Sequence, residues 1–176
     1  MDFQRILKTL VHELGERDVR FGVVGGVALA AYGIARMTVD LDLVAEGEEQ
    51  ERVVEVLESL GYETLHRSRG YSNHQHADQA LGRVDVVYVR GTTSRRLFDA
   101  CRRLEGPGGV EVSVPSAEHL AAMKLVAMKN DPDRLWQDLA DIRQLMALPG
   151  VDRQAIRASF DRHGFTEHYR ELEKSL

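Results

Sequence analysis

Three aspartates in this sequence have a spacing that favours metal chemistry. Asp40 and Asp42 stand two residues apart in MTVDLDLVA, where apolar and polar residues alternate as they do in a half-buried strand. On such a strand both side chains project from one face with their Cα atoms about 7 Å apart, so both carboxylates can bind one cation or a pair. Asp85 lies among β-branched residues in RVDVVYV, where an acidic side chain needs a partner because burying an unpaired charge is costly.

Two kinds of partner fit these carboxylates: an arginine, for which Arg36 and Arg83 are the candidates, or a metal ion shared by all three aspartates. The metal is favoured because all three aspartates are expected in strands and two of them share a face. An oxygen donor set that needs no Cys or His suits Mg²⁺ or Mn²⁺ better than zinc. Since proteins usually hold Mg²⁺ with one or two carboxylates and the substrate's phosphates, this set implies a nucleoside triphosphate substrate.

A glycine pair precedes the first two aspartates. Gly25 and Gly26 follow RFGVV, which predicts a strand, and precede VALAAYG, which predicts a short helix. Without a Cβ, these residues let backbone amides approach a phosphate at the positive end of the helix. A glycine pair also serves tight strand-to-helix turns in many folds, so the purely structural interpretation stays open. The dinucleotide-binding pattern is not met, because the glycines have the wrong spacing.

The surrounding elements suggest an α/β front followed by helices. Apolar periodicity predicts helices over residues 2 to 17 and 47 to 60, and period-two patterns predict strands at YETLHR, YSNHQHA and RVDVVYVR. TTSRRLFDACRRL is expected to be a helix with a Thr or Ser cap, and VEVSVP a strand. From Ser116 onward the pattern is nearly all helical. We therefore expect an α+β fold with a core over residues 1–115 and a helical region over 116–176.

Composition limits the protein's class and its surroundings. The chain has 176 residues, of which 43% are hydrophobic, and 23 basic against 28 acidic residues, for a formal charge of −5. These values are typical of a globular protein without an overall basic field. A single cysteine, Cys101, excludes a disulfide framework within the chain and a cysteine-based zinc cluster, and we interpret it as structural. No segment approaches 18 consecutive apolar residues, so we expect a cytoplasmic protein with no membrane partner.

Several other polar residues have two interpretations each. Arg36 either steers a triphosphate or pairs with an aspartate, and Thr38 is expected on the same strand face as the aspartate pair, where it supports them with a hydrogen bond. His74 and His76 have metal-ligand spacing, but a solvent-facing hairpin is favoured over a metal site. Five arginines form the strongest basic cluster, either as a solvated helix face or as a contact surface for nucleic-acid phosphates: Arg90, Arg95, Arg96, Arg102 and Arg103.

Taken together, the GG pair, the short helix, the motif RxTxDLDL and the later strand aspartate resemble a known superfamily. This is the minimal nucleotidyltransferase fold shared with DNA polymerase β, in the branch that holds the AbiEii-type toxins and related toxin-antitoxin nucleotidyltransferases. The resemblance covers residues 20 to 90 and extends more loosely to 145, where AEHLAAMKLVAMKNDPDRLWQDLADI is similar to that branch's lysine-bearing helix and following acidic helix. It implies a nucleotidyltransferase fold, a mixed β-sheet flanked by helices with a C-terminal helical bundle.

The resemblance also implies roles for individual residues of the α/β core. Gly25 and Gly26 match the glycine motif that holds the triphosphate, and a glycine in the second position leaves this binding to backbone amides. Asp40 and Asp42 match the metal-binding pair. Asp85 matches the third carboxylate, which binds metal and helps to deprotonate the attacking hydroxyl.

In the helical region, the resemblance implies that Lys124 contacts the triphosphate. By its sequence context alone, this lysine would be a solvated one on a helix with an apolar face. Asp138 and Asp141 both fall near the family's later acidic position, and the sequence does not decide between them. Of these two aspartates, we expect Asp138 to bind substrate, together with Arg36 and Thr38.

We therefore expect a metal-dependent enzyme that transfers a nucleoside monophosphate from a triphosphate to an acceptor hydroxyl. The acceptor is a tRNA, a protein or a small molecule, and the resemblance suggests a toxin with a cognate antitoxin as partner. Two alternatives stay open: a nucleotide-binding interaction protein that keeps the fold without catalysis, and a metal-dependent phosphohydrolase that uses water as the nucleophile. The intact set of aspartates argues against the first, because unpaired buried charges are costly to keep.

Overall fold

The computed structural model describes all 176 residues, which divide into two compact units, Met1–Pro115 and Ser116–Leu176. The first unit contains, in chain order, α1 (Phe3–Gly15), β1 (Phe21–Val24), α2 (Gly25–Ala31), β2 (Leu41–Glu46), α3 (Gln50–Ser59), β3 (Tyr62–Arg67), β4 (Tyr71–His76), β5 (Arg83–Val89), α4 (Gly91–Asp99), β6 (Arg102–Glu105) and β7 (Glu111–Val114). The second unit contains α5 (Ala117–Asn130), α6 (Leu135–Met146), α7 (Arg153–His163) and α8 (Thr166–Glu173). The chain is thus an α+β protein, as the sequence predicts.

A five-stranded mixed sheet in the order β1-β2-β5-β4-β3 organises the first unit. Strands β2 and β5 run parallel, and every other neighbouring pair is antiparallel. The register sets Asp42 directly beside Asp85 in the parallel pair, and sets Asn73 of β4 beside Asp85 on its other side. Paired residues share a face of the sheet, so these three side chains lie on the same face.

The opposite face carries the apolar core. Leu41, Leu43, Val84 and Val86 point to that face and are buried, and α3 packs on β2 and β3 beside α1. The core is the expected consequence of alternation in β2 and β5, where every second residue is aliphatic.

The face with the aspartates is covered in one part and open in another. The β6-β7 hairpin packs against β1, where Ser113 approaches Gly22. Over β4 and β5 the same face is open, since Tyr71 is 46% and Val87 is 40% exposed. Asp42 and Asp85 therefore lie between a covered half and an open half of one sheet face.

The helix predicted over TTSRRLFDACRRL is shorter in the structure, where the last residues of this segment belong to a strand. The helix α4 ends at Asp99, and Arg102 and Arg103 lie in β6, which pairs with β7. The helix also has Arg90 at its N-cap with no side-chain cap, where a Thr or Ser was expected. Residues 102–105 form a strand because a partner strand is available to them, a tertiary contact that local periodicity does not reveal. The arginines therefore do not form a single helix face.

The strand predicted over MTVDLDLVA starts later than expected, at Leu41. Antiparallel pairing with β1 ends at Val24, because the chain turns into α2 at Gly25 and leaves residues before Leu41 without a partner there. Val39, expected to face the core, is 82% exposed. Asp40 and Thr38 consequently precede the strand, and the expectation that all three aspartates lie in strands is wrong for Asp40.

His74 is completely buried, so the expected solvent-facing hairpin is also wrong at this position. Its Nδ1 lies 3.1 Å from Oγ1 of Thr64 and its Nε2 lies 2.7 Å from Oγ of Ser72. The Ser72 hydroxyl also pairs with the hydroxyl of Tyr88 at 2.9 Å. These hydroxyls satisfy both ring nitrogens, which is how a polar side chain becomes tolerable in the core.

The second unit is a helical bundle. Helix α5 packs against α6 and α7, and α7 packs against α8. Its apolar core includes several large side chains with almost no exposed surface: Leu125, Ile142, Leu145, Met146, Ile156 and Phe160. The side chains of Ser116 and Asp152 cap α5 and α7 by accepting backbone hydrogen bonds, which stabilises the first turns.

Candidate active site

The three aspartates singled out in the sequence come together at one point of the sheet. Asp40, Asp42 and Asp85 each contribute a carboxylate oxygen, and these atoms lie within 4.8 Å of one another. All three residues are half-buried. The register of β2 and β5 brings Asp42 and Asp85 side by side, and the chain just before β2 adds Asp40. Three like charges this close repel one another unless cations offset them.

The Gly25-Gly26 turn makes room for these side chains. A Cβ on Gly25 would overlap Oδ2 of Asp42, and the residue has a φ of +63°, a conformation that favours glycine. A Cβ on Gly26 would lie 2.6 Å from the Cβ of Thr38, too close for any real contact. Both glycines are thus required by the local packing, which lets an aspartate and a threonine lie directly against the backbone.

Thr38 supports Asp40 as the sequence suggested. Its hydroxyl donates to Oδ1 of Asp40 at 2.8 Å, which fixes the orientation of the carboxylate. The bond forms within an irregular segment, where a local side-chain bond replaces strand pairing. Arg36, in the same segment, donates to the carbonyl oxygen of Met37 at 3.1 Å.

Asp85 is held by two donors that reach the same oxygen. Oδ1 of Asp85 accepts a hydrogen bond from Nδ2 of Asn73 at 2.7 Å and another from Nε of Arg83 at 2.8 Å. The hydrogen bond to Asp85, with the negative charges of Asp40 and Asp42, raises the pKa of the Arg83 guanidinium. Arg83 was considered as a partner from the sequence, whereas Asn73 was missed, although a polar amide inside a strand is a signal.

The donor set suits a hard divalent cation. Carboxylate oxygens alone are the ligands that Mg²⁺ and Mn²⁺ prefer, and no Cys or His belongs to the cluster. Gly25 is a second feature of this site. It costs conformational entropy on folding, but it lets the carboxylate of Asp42 lie directly against the backbone. The residues therefore fit the cation that the sequence implies.

Lys124 and the two later aspartates form a cluster in the second unit. Nζ of Lys124 donates to Oδ1 of Asp138 at 2.9 Å and to Oδ2 of Asp141 at 2.7 Å. The Lys124 side chain is 13% exposed and that of Asp138 is completely buried, so the solvated lysine expected from context alone is wrong. Arg134 adds a further donor to Asp138 at 3.3 Å. Both aspartates contact the lysine, because they stand three residues apart on one face of α6.

Arg90 and Cys101, which the sequence also singled out, make contacts that support the fold. Arg90 donates to the carbonyl oxygens of Arg69 and Gly47, at 2.5 and 2.7 Å, and so ties two loops to the end of β5. Burial raises the pKa of the Cys101 thiol, and its Sγ donates to the carbonyl oxygen of Leu97. A thiol with a raised pKa is a poor nucleophile at neutral pH, which agrees with a structural role.

The first unit combines a mixed sheet, a strand that turns through two glycines, and three carboxylates beside that turn. The family that the sequence matches makes this chain a nucleotidyltransferase. The sequence of residues 5–176 matches the family described as nucleotidyl transferase AbiEii toxin, type IV toxin-antitoxin system. The chain belongs to this family. The resemblance stated from the motifs and the nucleotidyltransferase fold expected from it are both confirmed.

Several solved structures share the fold at low sequence identity. The antibiotic-resistance factor ANT(2'')-Ia superposes with a TM-score of 0.70 at 18% identity, covering 99% of this chain and 98% of that one. The lincosamide antibiotic adenylyltransferase LnuA, solved with lincomycin bound, gives 0.55 at 16% identity over 82% of this chain and 96% of that one. A putative nucleotidyltransferase from Thermotoga maritima gives 0.54 at 16% identity over 77% and 92% of the two chains.

Curated proteins offer no significant sequence match to this chain. None of its helices is both long enough and apolar enough to cross a lipid bilayer.

Proposed function

We propose that this nucleotidyltransferase uses a divalent metal to transfer a nucleoside monophosphate from a nucleoside triphosphate to the hydroxyl group of an acceptor. The observation that carries the proposal is the convergence of Asp40, Asp42 and Asp85 beside the Gly25-Gly26 turn. A cluster of three carboxylates is costly to maintain without a cation that offsets its charge. Family membership supports the reaction class, and the carboxylate cluster supports the metal.

Asp40, Asp42 and Asp85 would hold the Mg²⁺ or Mn²⁺. When bound, a divalent cation at such a site lowers the pKa of an attacking hydroxyl and stabilises the charge of the leaving pyrophosphate. Thr38 keeps Asp40 oriented for this role through its 2.8 Å hydrogen bond. Asp85 has one oxygen held by Asn73 and Arg83, which leaves the other for the cation, and we assign this carboxylate to assist in deprotonating the acceptor hydroxyl.

The glycine turn is the proposed site for the triphosphate. Gly25 and Gly26 begin α2 directly beside the carboxylates, and we assign their backbone amides to the phosphate oxygens. Arg36 is a second proposed contact for the phosphates, whereas the hydroxyl proton of Thr38 is donated to Asp40, so Thr38 is assigned to orienting that carboxylate. The expected contacts of Lys124 and Asp138 with the substrate stay predictions.

In-line displacement suggests where the acceptor binds. The entering hydroxyl and the leaving pyrophosphate lie on opposite sides of the α-phosphorus. With the triphosphate at the end of β1, the acceptor would approach over β5 and β4, on the far side of the carboxylates in the strand order. That part of the sheet is open, with the side chains of Tyr71 and Val87 exposed.

The acceptor and the biological partner are further proposals. The family description suggests a toxin that acts with a cognate antitoxin, and a tRNA or a protein is then the acceptor we expect. A small molecule is the alternative, because LnuA is an adenylyltransferase for a lincosamide antibiotic and ANT(2'')-Ia was solved with adenylyl-2''-tobramycin. Localisation in the cytoplasm remains part of this proposal.

The test is a transfer assay with separated acceptor pools. The purified protein is incubated with each of the four α-labelled triphosphates, Mg²⁺ or Mn²⁺, and one of three pools: total tRNA, soluble protein, or small hydroxyl-bearing metabolites and antibiotics. We expect label in one pool with one pyrophosphate released per label incorporated. Free monophosphate with no labelled acceptor would identify a phosphohydrolase instead, and nucleotide binding without pyrophosphate release in any pool would identify a binding protein.

A further inference from the structure

We propose that Asn73 is a positioning residue that fixes the carboxylate of Asp85 for metal binding. The inference rests on the metal role proposed above for Asp85. Asn73 lies on β4, outside the motifs that carry the family resemblance, and it was not among the residues expected from the sequence. Its place in the sheet is set by the register, which pairs Asn73 directly with Asp85.

The geometry ties the amide to one oxygen of the carboxylate. Nδ2 of Asn73 donates to Oδ1 of Asp85 at 2.7 Å, a short distance for a bond between an amide and a carboxylate. Arg83 donates to that same Oδ1 at 2.8 Å. Because both donors reach Oδ1, the rotation of the carboxylate is fixed and Oδ2 is directed away from them.

Of these two donors, Asn73 is the one suited to remain when a cation binds. Arg83 carries a positive charge on a flexible side chain that is 46% exposed, and a divalent cation beside Asp85 repels it. The amide of Asn73 is neutral, and its short side chain is attached to a strand paired on both sides. The metal therefore weakens the bond from Arg83 and leaves the bond from Asn73 in place.

Asparagine suits this role better than an aspartate or an aliphatic residue would at the same position. Asparagine is depleted in strands, so its presence in the middle of β4 needs a reason that strand propensity does not supply. An aspartate there would set two like charges directly opposite each other, which destabilises a strand pair. An aliphatic residue would give Asp85 no donor from this strand.

The test compares Asn73→Ala with Gln75→Ala. Gln75 lies on the same face of the same strand, but its amide donates to the carbonyl oxygen of His76 and not to a carboxylate. Mn²⁺ binding is measured by electron paramagnetic resonance without nucleotide, and steady-state kinetics are measured with the labelled triphosphate. We expect Asn73→Ala to weaken Mn²⁺ binding about tenfold and to lower kcat at least as much with little change in the KM for the triphosphate, since losing a group that orients a metal ligand typically costs 10- to 100-fold.

The outcomes separate this inference from the proposed function. Unchanged Mn²⁺ affinity in Asn73→Ala, or an equal loss in Gln75→Ala, would overturn it, as would a wild-type chain that binds no Mn²⁺. A wild-type chain that binds Mn²⁺ but transfers no nucleotide would refute the proposed reaction alone, while a selective loss of Mn²⁺ affinity in Asn73→Ala would still support the inference. If Asn73→Ala does not fold, Asn73→Val, which suits a strand and has no donor, is expected to show the same loss.

Discussion

At the scale of single residues, the site depends on backbone and carboxylate lying in direct contact. Asp42 lies so close to Gly25 that a single methyl group on the glycine would displace it. Glycine here does two things at once, because it adopts a φ of +63° and leaves the space that Asp42 occupies. The same logic applies to Gly26 and Thr38, which in turn orients Asp40.

Substitution of Gly25 by alanine tests this packing. We expect Gly25→Ala to lower the free energy of unfolding by more than the ~1–2 kcal/mol that a left-handed conformation alone costs, and to abolish Mn²⁺ binding, because Asp42 must move. Gly33→Ala is the matched control, since Gly33 has a φ of +79° with nothing within 4 Å of its missing Cβ. Thermal unfolding and Mn²⁺ titration measure both effects, and normal Mn²⁺ binding by Gly25→Ala would contradict this view of the turn.

Residue types carried the prediction of the carboxylates and of two of their supports, Thr38 and Arg83, but not of the third, Asn73. Asp40, Asp42 and Asp85 stand out because acidic residues interrupt apolar patterns, which is visible in one dimension. Asn73 stands out only as a polar amide within a predicted strand, and its partner Asp85 follows from the strand register, which residue types do not give. Register between strands that are distant along the chain depends on the whole sheet.

At the scale of elements, the strands near the site were largely predictable and their ends were not. Alternation predicted β3, β4 and β5, and the confirmed strands agree with it. The start of β2 was wrong because β1 turns into α2 and leaves Asp40 without a partner strand there. The strand β6 was read as helix because its pairing with β7 is not encoded in local periodicity.

The buried side of the sheet contains a pH-sensitive element. Burial lowers the pKa of His74 below its ordinary value of 6.5, although the negative charges of Glu58 and Asp85 act in the opposite direction. The folded protein thus binds the proton less tightly than the unfolded chain, so the stability that the neutral ring contributes is complete above about pH 6.5 and is lost as the pH falls below it. Protonation of His74 would make both ring nitrogens donors, so the hydroxyl groups of Thr64 and Ser72 would have to reorient to accept from them.

We therefore expect the wild-type chain to lose more Tm between pH 7.5 and pH 5 than the His74→Gln variant. The comparison uses the slope of Tm against pH, because the variant itself will be less stable at every pH. Parallel slopes would contradict the lowered pKa of His74, because they would mean that the folded and unfolded chains bind this proton equally tightly.

The helices of the second unit are linked by a buried ion cluster. Lys124 on α5 pairs with Asp138 and Asp141 on α6, and removing it leaves two buried carboxylates without their main cation. We expect Lys124→Met to lower the free energy of unfolding by about 3–5 kcal/mol, the usual cost of breaking a buried ion pair by removing one partner. Lys129→Met, at an exposed position of the same helix, is expected to change it by no more than about 0.5 kcal/mol. Urea unfolding measures both, and equal effects would contradict the stabilising role of the cluster.

At the scale of the whole molecule, net charge proved a poor guide to the substrate. A formal charge of −5 argues against a general affinity for phosphate groups. Three of the acidic residues nevertheless converge within 4.8 Å, where bound cations would reverse the local charge toward an anionic substrate. The distribution of charge at one point of the sheet, not its sum over the chain, therefore determines what the site can bind.

Both units of the chain take part in the family match. The AbiEii family model matches residues 5–176, so both units belong to the family and not the α/β core alone. The motifs identified in the sequence lie mainly in the first unit, because the helices of the second carry patterns common to many bundles.

The central claim is that Asp40 and Asp42 hold a divalent cation needed for nucleotidyl transfer. The most direct test is the metal-dependent incorporation of label from an α-labelled triphosphate by the wild-type chain and by the double variant Asp40→Asn/Asp42→Asn. Asparagine keeps the shape of each side chain and removes its charge, and circular dichroism checks that the fold is retained. We predict a loss of at least 1,000-fold in the double variant, about 4 kcal/mol of transition-state stabilisation. Equal incorporation by the two proteins, or undiminished incorporation by the wild-type chain in excess chelator, would contradict the account.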